Sequence, residues 1–430
     1  MNFCNIPLND MKTGIKTLIK KAIDKTKYPF DLQSEENTFP KKSNGYLKMR
    51  LFSYTIRSQI KNLKLNKTLG ILHAKPDKDS INIWRKLIKF NKNSLGFWSD
   101  KNKLNLNGSE ICEHLLINKL INLYGASPKK WVGYVTSGAT EANIFSLWIG
   151  RNLLKEKFKA KKICLIVNGL AHYSILKGAN LIDVEVFVTP IDRKHWNTNV
   201  NLLEKEILKL KKTGYSGFLI PITLGYTQTG TNDNLKPILR LIQTLEKKYK
   251  IHCYLWIDAA TNGLVLPFSK NDFKPLQNNK LSSLVLDFHK TGMNPIPSGV
   301  VIFRSNLKKY ISRKVSYIEG GDSTLLGSRS GIPAVSMLSV INKYGKEGFT
   351  NITKNSIHKK LKFKKKVMKL FPNIEIVDQT GGISLGLIAR KRLPQWFTYK
   401  YGIYANRWKY SFDTGNEYLY IYKVTFTPDP

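Results

Sequence analysis

The chain has 430 residues, 42% of them hydrophobic, with 70 Lys and Arg against 30 Asp and Glu, a formal net charge of +40. That is enough apolar material for a substantial core and for two or three domains in one compact body, and no run of about 18 apolar residues occurs, so no transmembrane helix is expected. The lysines are spread along the whole chain among many asparagines, as the codon bias of an AT-rich genome would leave them, so the charge reads as solvated surface and neither a nucleic-acid nor a membrane partner is expected.

The N-terminus, MNFCNIPLNDMKTGIKTLIKK, has no apolar stretch leading to a small-residue cleavage site and does not read as a secretory signal. Cys4, Cys112, Cys164 and Cys253 are scattered and form no CxxC pair, which points to a reducing, cytoplasmic setting without a disulfide framework. The seven histidines include no HExxH pair, and no metal site is expected.

Residues 1 to about 65 are polar, basic and irregular, with turn signals and no lasting period. From Ile111 the pattern settles. ICEHLLINKLINLYG has helical spacing and a Gly stop. WVGYVTSGAT reads as a strand ending in small residues, and EANIFSLWIGRNLLKEKF as the helix after it. The runs KICLIVN, VEVFVTPI, GFLIPITLG, CYLWIDAA, SSLVLDF and SGVVIFR are predicted strands. They alternate with helical stretches, of which LLEKEILKLKK and LKPILRLIQTLEKKYK are the clearest. Alternation of this kind predicts an α/β domain with a largely parallel sheet. After Lys308 the chain reads as mixed α+β, with a helix over GIPAVSMLSVINKYG, a solvated helix face over LKFKKKVMK, and a strand over YLYIYKVTF at the end.

The chemistry-bearing residues sit where these strands end. TSGATEAN, Thr136 to Asn143, joins a strand to a helix. Its small residues let the backbone approach an anion, and the first helical turn offers free N–H groups to a phosphate. An ordinary N-cap at Thr140, with Glu141 in the first turn, is the plainer alternative. His172, in AHYSILKGA, could stack on a planar ligand, or be a satisfied loop histidine. Asp258 ends the apolar strand of LWIDAATNG, where a carboxylate needs a cation or several hydrogen bonds, and Ala260 leaves space beside it. His289 and Lys290 follow LVLDF. A lysine there is costly to keep charged, and one that must become a neutral nucleophile belongs in such a place. One ligand uses all four features: a phosphate at Ser137–Thr140, a ring stacked by His172, a protonated ring nitrogen against Asp258, and an aldehyde captured by Lys290. That ligand is pyridoxal 5′-phosphate.

At this point the sequence resembles the group II pyridoxal-phosphate-dependent amino-acid decarboxylases, of the fold-type I (aspartate aminotransferase-like) superfamily, with histidine decarboxylases and archaeal tyrosine/aspartate decarboxylases nearest. The resemblance rests on WVGYVTSGATEAN, AHYSILKGA, TLGYTQTGTND, WIDAATNGLVLPF, DFHKTGMNPIPSGVVIFR and DSTLLGSRSG, in the family's order, over roughly residues 95 to 345. It implies a large pyridoxal-phosphate-binding domain over 66–308 with a mostly parallel seven-stranded sheet. It also implies a smaller α+β C-terminal domain over 309–430, an active-site loop near 315–331, and an N-terminal arm over 1–65 that could pack on a partner subunit.

By position, the resemblance implies that Lys290 holds the cofactor as a Schiff base, Asp258 pairs with the pyridine nitrogen, Ala260 packs near the ring and His172 stacks on it. Ser137, Gly138, Ala139 and Thr140 would line the phosphate with His289 nearby, and Thr227 lies in the turn where the family has GTT. Tyr317 and Ser328 are the candidates in the loop expected to reach a neighbouring subunit, Tyr317 as a proton donor. A homodimer with shared sites and a small amino-acid substrate, histidine-like or aromatic, are implied, with amine and CO2 as products.

Three positions depart from the family's pattern: Ala139 stands where Gly is usual, Tyr226 where the turn has its first Thr, and Phe97-Trp98 where Asp-Pro is common. The residues leave other readings open. These are a carbon–carbon lyase like sphingosine-phosphate lyase, an aminotransferase using Arg407 as a carboxylate clamp, and a basic binding protein without catalysis.

Overall fold

Six of the seven strands in the large sheet run one way, and that single direction decides where the chemistry can sit. The computed structural model describes residues 68–102, 106–270, 272–317 and 321–429, so the arm expected over 1–65 lies outside the described residues. A short ladder pairs β1 (Asn93–Leu95) with β9 (Ser328–Ser330). The large sheet contains β2 (Trp131–Thr136), β3 (Ile163–Asn168), β4 (Glu185–Thr189), β5 (Gly217–Thr223), β6 (His252–Asp258), β7 (Leu281–Asp287) and β8 (Gly299–Arg304). Their order is β2-β8-β7-β6-β5-β3-β4, and only β8 is antiparallel to its neighbours.

The predicted strands are all present, and the sheet is mostly parallel as expected. The reason is visible in their burial. β2 and β5 are buried along their whole length because helices cover both faces, so their sequences read as unbroken apolar runs. The helix Leu235–Lys248 shows the matching pattern, burying Ile238, Leu239, Ile242 and Leu245 while its lysines face out.

A second sheet is antiparallel, in the order β10 (Glu375–Asp378), β11 (Ser384–Ala389), β13 (Gly415–Thr425), β12 (Arg407–Phe412). One face, with Leu385, Leu387, Tyr422 and Val424, packs on Phe363 and Val367 of the long helix Ile332–Leu370 and on Phe397. The other face, with Ile388, Leu419 and Ile421, packs on Leu170, Ile191, Trp196 and Tyr226 from the large-sheet region. The predicted helix stop at Gly345 is a real break: Gly345 adopts φ 54° and ψ −169°, and a second helical stretch continues to Leu370. Among the described residues no helix is long and apolar enough to cross a membrane.

The GSRSG segment is tied down by Arg329. Its Nη1 donates to Glu113 Oε1 at 2.9 Å and to the Val135 carbonyl at 3.0 Å, and its Nη2 to the Gly96 carbonyl at 2.8 Å. Its guanidinium also lies 4.8 Å from the centre of the Tyr134 ring. Removing one partner of a buried pair leaves the other charge stranded. Arg329→Ala is therefore expected to cost about 3–5 kcal/mol of stability, read as a lower denaturant midpoint with an unchanged slope.

Candidate active site

The carboxyl ends of the parallel strands, together with the start of β8, meet along one edge of the large sheet. In register across it are Thr136, Gly299 and Asp287, and, further along, Thr223, Asp258 and Val285. Ligands in open α/β sheets bind outside such an edge.

Lys290 is placed by the shortest possible device. β7 ends at Asp287 and a single helical turn, Phe288–Thr291, follows. Three residues on, the lysine returns to the aspartate, with Nζ 3.0 Å from Asp287 Oδ2. The other oxygen of Asp287 accepts the Ala139 N–H at 2.7 Å, and His289 Nε2 lies 3.5 Å from Oδ2. Asp287 thus ties the lysine to the loop after β2, a role that sequence reasoning missed. Burial pushes the His289 imidazole below its ordinary pKa, against the Asp287 charge that raises it.

Asp258 is almost fully buried at 4% exposure. Its Oδ2 accepts from Asn143 Nδ2 at 3.0 Å and its Oδ1 from the Ala260 N–H at 3.2 Å. Trp256 Nε1 donates to Asn143 Oδ1 at 3.0 Å, which fixes the amide so that its NH2 faces the aspartate. His172 caps the helix Tyr173–Leu181, with Nδ1 accepting the Ser174 N–H at 3.3 Å. A ring that accepts at Nδ1 carries its proton on Nε2. Burial holds its pKa low, partly offset by Asp258.

Lys290, Asp258, His172, Ala139, Thr227 and Ala260 line one cleft. Gly138 and His289 adjoin it: a Cβ on Gly138 would lie 3.2 Å from His289 Cε1. Ser137 and Thr140 flank Gly138 and Ala139 at the start of the helix Ala139–Glu156. That helix begins at Gly138 with no side-chain cap, so Thr140 is not the N-cap, and Glu141 instead accepts the Ser137 N–H at 2.7 Å.

The structure does not bring the two loop candidates to this cleft. Tyr317 is 82% exposed, and Ser328 is an exposed residue of β9 whose Oγ accepts from Asn93 Nδ2 at 3.2 Å. Tyr226 lines the cleft, but its hydroxyl turns away to Asp233, 3.0 Å from each carboxylate oxygen. Phe97 and Trp98 are core residues, with Trp98 Nε1 donating to the Gly133 carbonyl at 2.9 Å. Arg407 is exposed on β12, with its guanidinium 5.2 Å from the centre of the Tyr418 ring, and is no clamp for a substrate in the cleft.

The cation that does approach from the second sheet is Lys423. It stands opposite Gly386 in the β11–β13 ladder. A Cβ on Gly386 would lie 3.3 Å from Thr229 Cα, so this face abuts the turn that carries Thr227. Burial, and then the charge of Lys290, bring the Lys423 amine down to about 8.

These residues fit pyridoxal 5′-phosphate. Asp258 receives two neutral hydrogen bonds and has no cationic partner among the described residues, which leaves a buried carboxylate suited to a protonated ring nitrogen. The uncapped helix start beside Gly138 suits the phosphate. His289 Nδ1 is buried with no protein partner. A lysine, a buried carboxylate and a histidine around one cleft at the carboxyl edge of a mostly parallel sheet define a fold-type I pyridoxal-phosphate enzyme.

The chain belongs to the family described as the pyridoxal-dependent decarboxylase conserved domain, whose model matches residues 109–389. It is 32% identical over 265 residues to a tryptophan decarboxylase of Clostridium sporogenes, covering 60% of this chain and 63% of that protein. It is 30% identical over 250 residues to a probable L-tyrosine/L-aspartate decarboxylase of Methanococcus aeolicus, covering 55% and 62%. With a histidine decarboxylase of Vibrio campbellii the identity is 27% over 262 residues, covering 60% and 64%. The chain thus spans just under two thirds of each of these three relatives. Among solved structures it shares its fold with an L-methionine decarboxylase of Streptomyces sp. 590 at TM-score 0.75 and 15% identity, covering 93% and 95% of the two chains. A glutamate decarboxylase of Lactobacillus brevis gives TM-score 0.71 at 17% identity, covering 93% of each.

Proposed function

We propose that the protein decarboxylates an L-amino acid to the amine and CO2 with pyridoxal 5′-phosphate. One observation carries this reading: Lys290 and Asp258 line the same cleft from the ends of neighbouring parallel strands, with His172 beside them. Bound there, the cofactor supplies an electron sink for the pair left on the substrate's α-carbon when CO2 departs. The protein does the rest. Lys290 Nζ would offer the amine that holds the cofactor's aldehyde, and Asp258 would keep a proton on its ring nitrogen. His172 would pack against the ring, and the Ser137–Thr140 turn would hold the phosphate. The chain's own task in the reaction would be to orient the substrate's carboxylate. Lys423, paired with Gly386 where the second sheet meets the Thr227 turn, is the candidate for this task.

A homodimer in which the segment with Tyr317 and Ser328 reaches the other subunit's site accords with the exposure of both residues. A cytoplasmic setting accords with the free thiols of Cys112, Cys164 and Cys253. The test of the activity is CO2 release from the common amino acids by the purified, cofactor-loaded protein; release from none of them defeats it.

Lys423 gives this reading a pH dependence. An amine that titrates at about 8 is charged below that pH and neutral above it. Affinity for the substrate carboxylate is therefore expected to fall as pH rises past about 8. Lys423→Met is expected to raise KM roughly tenfold and to flatten that limb of the KM–pH profile. A variant with wild-type KM at every pH would remove Lys423 from substrate binding.

A further inference from the structure

A second side chain that the chemistry above leaves unused lies beside the turn that carries Lys290. The stretch Leu69–Asp77 is tied at one end to the second sheet and at the other to that turn. The Leu69 N–H donates to the Tyr401 carbonyl at 2.7 Å, and the Thr425 N–H to the Leu69 carbonyl at 2.7 Å, both on the side of the second sheet. At the other end the Ala74 N–H donates to the Lys290 carbonyl at 2.9 Å and the Asp77 N–H to the Met293 carbonyl at 2.8 Å. Lys343 Nζ and the Tyr344 hydroxyl hold the Asp77 carboxylate at 2.8 and 2.7 Å. Between these anchors His73 is solvent-accessible as a residue while its ring faces inward, its centre 5.4 Å from that of His289.

The groups that act on His73 come from three elements: His289, Lys290 and Asp287 from β7 and the turn after it, and Lys423 from β13. Three of the four are cationic or can become so. The one anion, Asp287, is already taken by the Ala139 N–H and by Lys290. Burial, then these positive neighbours, favour the neutral imidazole, which still donates one N–H.

We propose that His73 and Lys423 form a two-donor corner over the cofactor site that selects dicarboxylic L-amino acids. The proposal rests on the decarboxylase reading. Every amino acid brings one carboxylate, and an acidic one brings a second. The corner offers the Lys423 ammonium to one and the His73 N–H to the other. A neutral side chain uses only one donor, and a cationic side chain meets a like charge.

Two measurements on the cofactor-loaded protein test this. The first is CO2 release from L-aspartate and L-glutamate against L-tryptophan, L-tyrosine, L-histidine and L-lysine. An acidic substrate is expected to have the highest kcat/KM, by roughly tenfold or more, and L-lysine the lowest. His73→Phe keeps a ring but no donor, and is expected to erase that preference with the rate on neutral substrates retained. The second is calorimetric titration with succinate, which carries two carboxylates and no amine. Succinate is expected to bind, and to lose roughly tenfold or more in affinity in His73→Phe and again in Lys423→Met. A higher kcat/KM on aromatic or cationic substrates, or succinate affinity unchanged in both variants, overturns the corner. Succinate binding that depends on both residues, with no CO2 from any amino acid, supports the corner and defeats the decarboxylase reading.

Discussion

Lys290→Ala protein is expected to stay colourless with pyridoxal phosphate and to release no CO2 from any amino acid. The argument is one of place and of chemistry. The amine is brought to the cleft by a single helical turn, held 3.0 Å from Asp287, and its side chain is only 14% exposed. No other primary amine lines the cleft among the described residues. Lys290→Arg separates the two things the lysine supplies. Arginine keeps a cation beside Asp287 but cannot act as the neutral amine that condenses with an aldehyde. Both variants are expected to lose colour and turnover, while only the alanine variant strands the buried Asp287 charge. Because Asp287 still accepts the Ala139 N–H, that loss is expected to lower the melting temperature without abolishing folding. Turnover in Lys290→Arg comparable to the parent protein would end the assignment.

What could be read from the chain, and what could not, divides along a physical line. Most strands of the large sheet were legible because they are buried from both sides, the edge strand β4 being the exception. GFLIPIT and WVGYVT must be apolar throughout, and such runs announce themselves. The site was legible because its members follow the ends of those same strands, so each sits where an apolar run stops.

The second sheet is different. β12 is an edge strand with Arg407, Trp408 and Lys409 exposed, and its sequence carries no clean alternation. The supporting residues were hidden for another reason. Asn143 lies on a helix, one turn past the phosphate loop, and only Trp256, 113 positions away in sequence, reveals what its amide does. Lys423 reads locally as the polar side of a strand in YIYKVTF. It is proposed for the site because β13 packs against Tyr226 in the turn after β5. His73 precedes every recognisable motif, and the backbone bond from Ala74 to Lys290 that holds it beside His289 leaves no mark on its neighbours' identities. Partners set by tertiary packing are not written in spacing.

The same buried network predicts the second large effect, in Asp258→Asn. The substitution changes almost no volume and keeps one acceptor, yet on the proposed reading it removes the charge that would hold a proton on the cofactor's ring nitrogen. Without that proton the ring is a weaker electron sink, and the loss falls on the chemical step. kcat is expected to drop on the order of 10²–10³-fold, as when one preorganised electrostatic partner is removed from a developing charge, with KM changed far less.

A structural cost accompanies it. Asp258 accepts from both the Asn143 amide and the Ala260 N–H, and an asparagine can accept from only one of them without turning its own NH2 toward the other donor. Trp256 prevents Asn143 from flipping in compensation. Stability is therefore expected to fall by about 1–3 kcal/mol. Asp258→Glu restores the charge one methylene out of place, so partial recovery of kcat there, without recovery of stability, would assign the rate effect to charge and the folding effect to the hydrogen bonds. An Asp258→Asn protein that keeps its kcat but loses stability would show that the carboxylate serves the fold alone.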